Sequence, residues 1–229
     1  LRGTVRWLGD SAAFSLVGGA AWPSQRAAAL ARACPSLAVA YWTPDGASRR
    51  GLWDQRPDPR LPALSFSQVN PPVARELGSA VIERALAHSP RTAIDAYSGV
   101  GDTAEALSRA GVSVTAIEVD REAAEWAAHR LTPPSRSVAQ RVERAIAAAL
   151  PADVVVLNPP RAGVDASVTR ALDTCTPPPR AIVYVSCDPA TLARDVARLS
   201  RYSVADVQPY DMFPQTAHVE TVCELVSRT

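Results

Sequence analysis

Residues Ile182-Val-Tyr-Val run without a break into Ser186-Cys187-Asp188-Pro189, and a helical pattern follows. A short apolar run closed by a proline turn predicts a buried strand. In open α/β sheets, ligands and chemistry gather at the carboxyl ends of the strands. The run therefore predicts an α/β fold with Cys187 at its working edge, placed to act as a nucleophile. A free cysteine more often packs as a small hydrophobe, so the other segments must decide between the two readings.

Composition narrows the class. The 229 residues suffice for one large domain or a domain and a half. A net charge of +1 makes no electrostatic case for nucleic acid by itself, although every basic residue is arginine, which suits phosphate contacts. The cysteines Cys34, Cys175, Cys187 and Cys223 form no C-x-x-C pair, so neither a metal site, an iron–sulfur cluster nor a disulfide framework is expected. No signal peptide and no apolar run of about 18 residues is present. The expectation is a soluble, cytoplasmic, monomeric protein with no membrane partner. Leu1 lies just ahead of a strand-like segment, so further sequence upstream is expected.

Residues 1–60 read as a small, partial α+β domain. Strand-like runs Thr4–Leu8 and Ala12–Val17 flank Gly9-Asp10, a hairpin signal. A helix from Arg26 to Ala33, strands over Leu37–Trp42 and Gly51–Asp54, and a turn at Pro44-Asp45-Gly46 follow. Its tryptophans, Trp7, Trp22, Trp42 and Trp53, suit a core better than a base-stacking platform. A proline-rich linker, Arg56 to Pro62, leads to the second domain, 61–229. There Asn70 and Pro71 predict the start of a helix running to Ala87.

The second domain places polar residues where its strands end. Thr92 to Asp95 leads into Tyr97-Ser98-Gly99-Val100-Gly101-Asp102 and a helix from Thr103. The glycines let backbone approach a ligand, and the helix start supplies free N–H groups. The next strand, Val112–Ile117, ends at Glu118, a position suited to binding ribose hydroxyls. Asp95, Gly99, Gly101 and Glu118 together resemble the cofactor site of class I S-adenosylmethionine-dependent methyltransferases, with an NAD site as the competing reading. A third strand is predicted over Ser137–Val142, with Glu143 near its end facing an adenine. Strand Asp153–Leu157 runs into Asn158-Pro159-Pro160-Arg161-Ala162-Gly163, whose prolines fix an amide and a guanidinium at the cleft. The chain closes with a loop and a terminal strand in which His218 and Glu220 share a face at period two.

Five segments then occur in order: Ser65-Phe-Ser-Gln68-Val-Asn-Pro71, Asp95-Ala-Tyr-Ser-Gly-Val-Gly101, Asn158-Pro-Pro-Arg-Ala-Gly163, Tyr184-Val-Ser-Cys-Asp-Pro-Ala-Thr-Leu-Ala-Arg194 and Asp211-Met-Phe-Pro-Gln-Thr-Ala-His-Val-Glu220. Together they resemble the RNA uracil-C5 methyltransferase family, which makes 5-methyluridine in tRNA and rRNA. Residues 1–60 resemble the back half of that family's central domain. The resemblance implies a Rossmann-like class I methyltransferase sheet, mostly parallel with helices on both faces. It implies S-adenosyl-L-methionine as cofactor and a flipped or single-stranded uridine of RNA as substrate. Carried over by position, Cys187 is the nucleophile and Glu220 the base; Arg161, to stabilise oxyanion charge or orient the substrate, and His218 are the further catalytic candidates. Gln68, Tyr97, Asp102, Glu118 and Asn158 fall on positions that line the pocket.

The sequence departs from the family pattern in places: many members carry cysteine at Ser98, asparagine at Asp102 and Asp188, and aspartate at Asn158. The mechanism also asks for a thiol of lowered pKa, with the helix after Pro189 as the candidate cause. Two other readings stand beside this one. One is an Asn-Pro-Pro amino-methyltransferase, in which an aromatic residue usually stands where this chain has Arg161. The other is a catalytically silent RNA-binding fragment.

Overall fold

The computed structural model describes residues 1–8, 10–22, 24–58, 60, 62–63 and 70–228, apart from the side chains of residues 7, 8, 24 and 25. The chain forms two compact units, Leu1–Ser65 and Phe66–Thr229.

The first unit comprises β1 (Arg2–Leu8), β2 (Ser11–Val17), α1 (Ser24–Ala33), β3 (Leu37–Thr43) and β4 (Arg50–Asp54), its strands ordered β1-β2-β3-β4 in one sheet. β1 and β2 pair antiparallel with Leu8 opposite Ser11, as the expected hairpin requires, while Gly9 lies outside the described residues. β3 lies parallel to β2 because α1 carries the chain back across the sheet, and β4 returns antiparallel. Ala63 lies past the proline-rich stretch yet packs on Ala13 and Val39, which is why the first unit extends beyond residue 60. Trp42 is buried and donates its indole N–H to the Gly18 carbonyl at 2.9 Å, whereas Trp22 and Trp53 are half-buried.

The second unit alternates strand and helix: α2 (Pro71–Ala87), β5 (Thr92–Ala96), α3 (Asp102–Arg109), β6 (Ser113–Glu118), α4 (Arg121–Arg130), β7 (Arg136–Ala139), α5 (Val142–Ala149), β8 (Val154–Leu157), α6 (Ala166–Thr174), β9 (Ala181–Ser186), α7 (Pro189–Val196), β10 (Tyr202–Tyr210) and β11 (Glu220–Ser227). Its sheet runs β10-β11-β9-β8-β5-β6-β7. β5 through β9 pair in parallel, while β11 is antiparallel to both β9 and β10. Parallel strands must be covered on both faces, so they read as unbroken apolar runs. Every residue of β8 and β9 is buried. Side chains alternate between the faces: Val155, Leu157, Ile182 and Tyr184 pack in one cluster with residues of α5, α6 and α7. Val154, Val156, Val183 and Val185 pack in the other with Leu77, Val81 and Leu107 of α2 and α3.

Two elements differ from expectation. The third strand ends at Ala139, and Val142 opens α5 instead, so Glu143 sits in a helix's first turn. Val142, Ala145 and Ile146 point inward at helical spacing, a period too short in this segment to stand out from a strand. β10 was not expected at all. It is an edge strand whose residues 204–209 are exposed, so neither alternation nor a buried run marks it. Asn70 does precede α2, but its side chain makes no capping bond.

Candidate active site

β5 lies beside β6 on one side and β8 on the other, so the chain's crossovers diverge at this strand and open a crevice beyond its carboxyl end. The turn there passes through three left-handed residues, Tyr97 (φ 61), Gly99 (φ 54) and Gly101 (φ 82). At Gly101 glycine is a steric necessity: a Cβ would lie 2.6 Å from Ala127 Cβ on α4. Glu118 closes the turn from β6, one oxygen accepting the Gly99 N–H at 2.9 Å and the other the Asp120 N–H at 2.7 Å. Arg130 braces the same turn, donating to the Val100 carbonyl at 3.0 Å and to Asp102 at 2.8 Å, and pairing with Glu105. Asp102 is thus engaged by an arginine of α4, an arrangement sequence reasoning missed.

Asp95 is 2% exposed beneath the turn. It accepts the Ala104 N–H, but Oδ2 has no hydrogen-bond partner among the described residues. Burial, with Asp102 and Glu118 nearby, pushes its pKa up to about 7. A buried carboxylate in this condition favours a cationic partner. Tyr97 donates its hydroxyl to Glu143 at 3.4 Å, and burial together with Glu143 pushes the phenol up. Glu143 thus meets Tyr97 of the turn, and does so from the first turn of α5, not from a strand end.

The second half of the site lies at the ends of β8 and β9. Asn158 is exposed, its backbone N–H held by the Ala96 carbonyl at 3.2 Å, and the exposed Arg161 follows in the turn beyond it. Cys187 is half-buried between β9 and α7. The antiparallel ladder between β11 and β9 ends with Thr221 opposite Ser186, which brings the residues just past it, Glu220 and Cys187, close enough for the Glu220 charge to act on the thiol. Glu220 is 4% exposed. Burial and then the Glu220 charge push the Cys187 thiol up, while Arg161 pulls it down. The expectation of a lowered thiol is therefore reversed. The helix expected to lower it is already capped by Asp188, which accepts the Ala190 and Thr191 N–H groups at 2.9 Å each.

His218 is apart from this group. β11 begins at Glu220, so the two do not share a strand face; His218 is exposed in the preceding loop, edge-on to Phe213 at 6.1 Å. Gln68 lies outside the described residues. Sequence reasoning also missed Asp195, which is wholly buried beneath the Arg161 turn. The signal was available: Asp195 falls three residues after Leu192 and four before Leu199, on the inward stripe of α7 and its C-terminal extension. Among the described residues, no group of three or more His, Cys, Asp or Glu is set to hold a metal, and no helix is long and apolar enough to cross a membrane.

The strand order, the helices on both faces and the acid-terminated second strand of this sheet define a class I methyltransferase fold. N-methyltransferase NodS of Bradyrhizobium japonicum shares it at TM-score 0.54 and 15% identity, over 69% of this chain and 98% of that one. The tRNA (uracil-54, C5)-methyltransferase of Pyrococcus abyssi, solved with S-adenosyl-L-homocysteine, aligns at TM-score 0.68 and 26% identity, over 94% of this chain and 56% of that one. The tRNA (Uracil-5-)-methyltransferase family profile matches residues 136–228. An uncharacterized RNA methyltransferase of Thermosynechococcus vestitus is 35% identical over 198 residues, 79% of this chain and 42% of that protein. One from Clostridium acetobutylicum is 36% identical over 174 residues, covering 71% and 37%. The chain is thus similar to the tRNA (uracil-5-)-methyltransferase family over residues 136–228 and to RNA methyltransferases over most of its length. It spans well under half the length of these curated relatives, 42% and 37%.

Proposed function

We propose that this chain carries the catalytic portion of an enzyme that methylates C5 of a uridine in RNA, with S-adenosyl-L-methionine as methyl donor. The observation that carries the reading is that Glu220 and Arg161 both lie close enough to act on the Cys187 thiol, at the end of the ladder between β9 and β11.

The crevice beyond β5 fits the donor. Asp95 offers an unpaired buried oxygen to a cationic group, Glu118 stands at the end of β6 for ribose hydroxyls, and at Gly99, where nothing lies within 4 Å of a Cβ position, the backbone is open to approach. Tyr97, Gly99, Asp102, Glu143 and Asn158 surround the same crevice and complete the proposed binding set, together with Gln68. When bound, the donor supplies a methyl group on a sulfonium, electrophilic enough for a carbon nucleophile.

Uracil C5 is a poor nucleophile until C6 is attacked. Cys187 as thiolate forms a bond to C6, and the C5–C6 π electrons move into an enolate over C5, C4 and O4, which makes C5 reactive toward that methyl group. Arg161 orients the base or stabilises the charge at O4. Glu220 then removes the C5 proton, the C5–C6 double bond re-forms, and the Cys187 thiolate leaves. Because the thiol is held up by burial and by Glu220, it needs help to ionise, and Arg161 is the group that supplies it. The target base must be unstacked to reach this pocket.

The test is covalent trapping. RNA containing 5-fluorouridine cannot lose fluorine as a proton, so the enzyme should stall as a band that survives a denaturing gel. The band should vanish in Cys187→Ala. In Glu220→Gln it should form even with ordinary uridine, because the methylated adduct cannot collapse. A Cys187→Ala variant that still methylates uridine would overturn the assignment. Methyl transfer to adenine without any adduct would favour the Asn-Pro-Pro amino-methyltransferase instead. Parallel tRNA and rRNA substrates separate the two RNA classes.

A further inference from the structure

Asp195 has 0% exposure and lies on α7, among apolar residues packed against β9. Its Oδ2 accepts the Val164 N–H at 2.9 Å and the Tyr184 hydroxyl at 2.8 Å. Its Oδ1 accepts Arg194 Nε at 2.9 Å and Arg198 Nη1 at 3.2 Å. Arg194 in turn donates from Nη2 to the Ala162 carbonyl at 2.8 Å. Residues 160–163 form a tight turn, with the Gly163 N–H on the Pro160 carbonyl at 2.8 Å, and Arg161 occupies its second position. The turn is pressed onto the carboxylate: Gly163 has φ +77, and a Cβ there would collide with Asp195 Oδ2 and Thr191 Cγ2.

Three segments therefore converge on one carboxylate. The turn bearing Arg161 reaches it through Val164 and, by way of Arg194, through Ala162. The strand leading to Cys187 reaches it through Tyr184. The helix leaving Cys187 carries it. Burying such a cluster is a poor route to stability, because apolar residues fill the same space at less desolvation cost. What a fully satisfied ionic cluster does well is select one arrangement of the parts it joins.

We propose that Asp195 is a positioning residue that holds the Arg161 turn in register with the Cys187 strand–helix junction. The inference rests on the proposed roles of Cys187 and Arg161. Asp195 touches neither reacting atom, and it acts through where it sets the guanidinium.

The charged groups facing Cys187 are Glu220, Asp188 and Arg161, and of these only Arg161 favours the thiolate. Removing the negative charge of Asp195 would by itself lower a thiol pKa, never raise it. A rise in Asp195→Asn therefore requires that Arg161 has moved away. The experiment follows iodoacetamide alkylation of Cys187 against pH, read by mass spectrometry of its peptide in the natively folded chain. This needs neither RNA nor cofactor, so its failure is distinct from a failure of the trapping experiment. Asp195→Asn and Arg161→Gln should each raise the alkylation midpoint by about half a pH unit, equivalent to roughly threefold slower alkylation below the midpoint. The double variant should show no more than Arg161→Gln alone. Arg194→Lys, which keeps the positive charge but cannot hold both Asp195 and the Ala162 carbonyl, should shift the midpoint the same way and serves if Asp195→Asn does not fold. An unmoved or lowered midpoint in the folded variant, or a shift fully additive with Arg161→Gln, overturns the proposal.

Discussion

Gly101→Ala separates two penalties that coincide at the crevice. The residue sits at φ +82, and its new methyl would meet Ala127 Cβ at 2.6 Å and Ala127 Cα at 3.3 Å. Left-handed backbone costs an L-residue about 1–2 kcal/mol, partly offset by about 0.4–1 kcal/mol from a stiffer unfolded chain. Overpacking against a helix backbone adds about 1–3 kcal/mol. The net expectation is a loss of roughly 1–4.5 kcal/mol, which is large beside a typical domain stability. Gly99→Ala supplies the control, since Gly99 is also left-handed, at φ +54, but has nothing within 4 Å of its Cβ position. It should lose about 1.5 kcal/mol or less. Urea unfolding followed by helical circular dichroism reads the second unit, which contains α2 to α7. Ala127→Gly, placed in the Gly101→Ala background, removes the 2.6 Å clash and should recover about 1 kcal/mol or more as a coupling energy in a double-mutant cycle. If Gly101→Ala costs no more than Gly99→Ala, or if Ala127→Gly shows no coupling to it, the steric reasoning is wrong.

Asp95 gives a pH signature. Its folded pKa, about 7, lies above its ordinary value of 3.8, so the native state holds a proton that the unfolded chain releases between those limits. Stability should therefore fall as pH rises from about 4 to about 7, by up to on the order of 4 kcal/mol from this residue, and the fall should disappear in Asp95→Asn. A profile identical in both proteins across that window would refute the burial argument. Arg130→Met should loosen the glycine turn by releasing Val100, Asp102 and Glu105. A loss of about 1–2 kcal/mol is expected, with S-adenosyl-L-homocysteine binding weakened severalfold by calorimetry. Unchanged binding would mean that the turn is held without the arginine.

Much of this architecture is legible in the chain itself. The runs at 92–96, 113–118, 154–157 and 181–186 are strands buried on both faces or nearly so, and apolar continuity is a property of sequence. Residues that must sit where those strands end, such as Asp95, Gly101, Glu118, Asn158 and Cys187, are likewise found by position, because a parallel sheet directs every carboxyl end to one edge. α5 and β10 escaped because each is short or exposed, and local pattern is weak where burial is one-sided or absent.

What the tertiary structure alone decided is which of these residues act on one another. The Glu220 charge acts on Cys187 because the antiparallel β11 inserts between β9 and β10, a pairing register that no local feature encodes. The thiol's elevated pKa, the capture of the helix amides by Asp188, the pairing of Asp102 with Arg130 and the convergence of three segments on Asp195 are all consequences of that packing. Composition and periodicity specify which faces are buried. Electrostatics depends on distances between residues remote in the chain, and those exist only once the sheet is assembled.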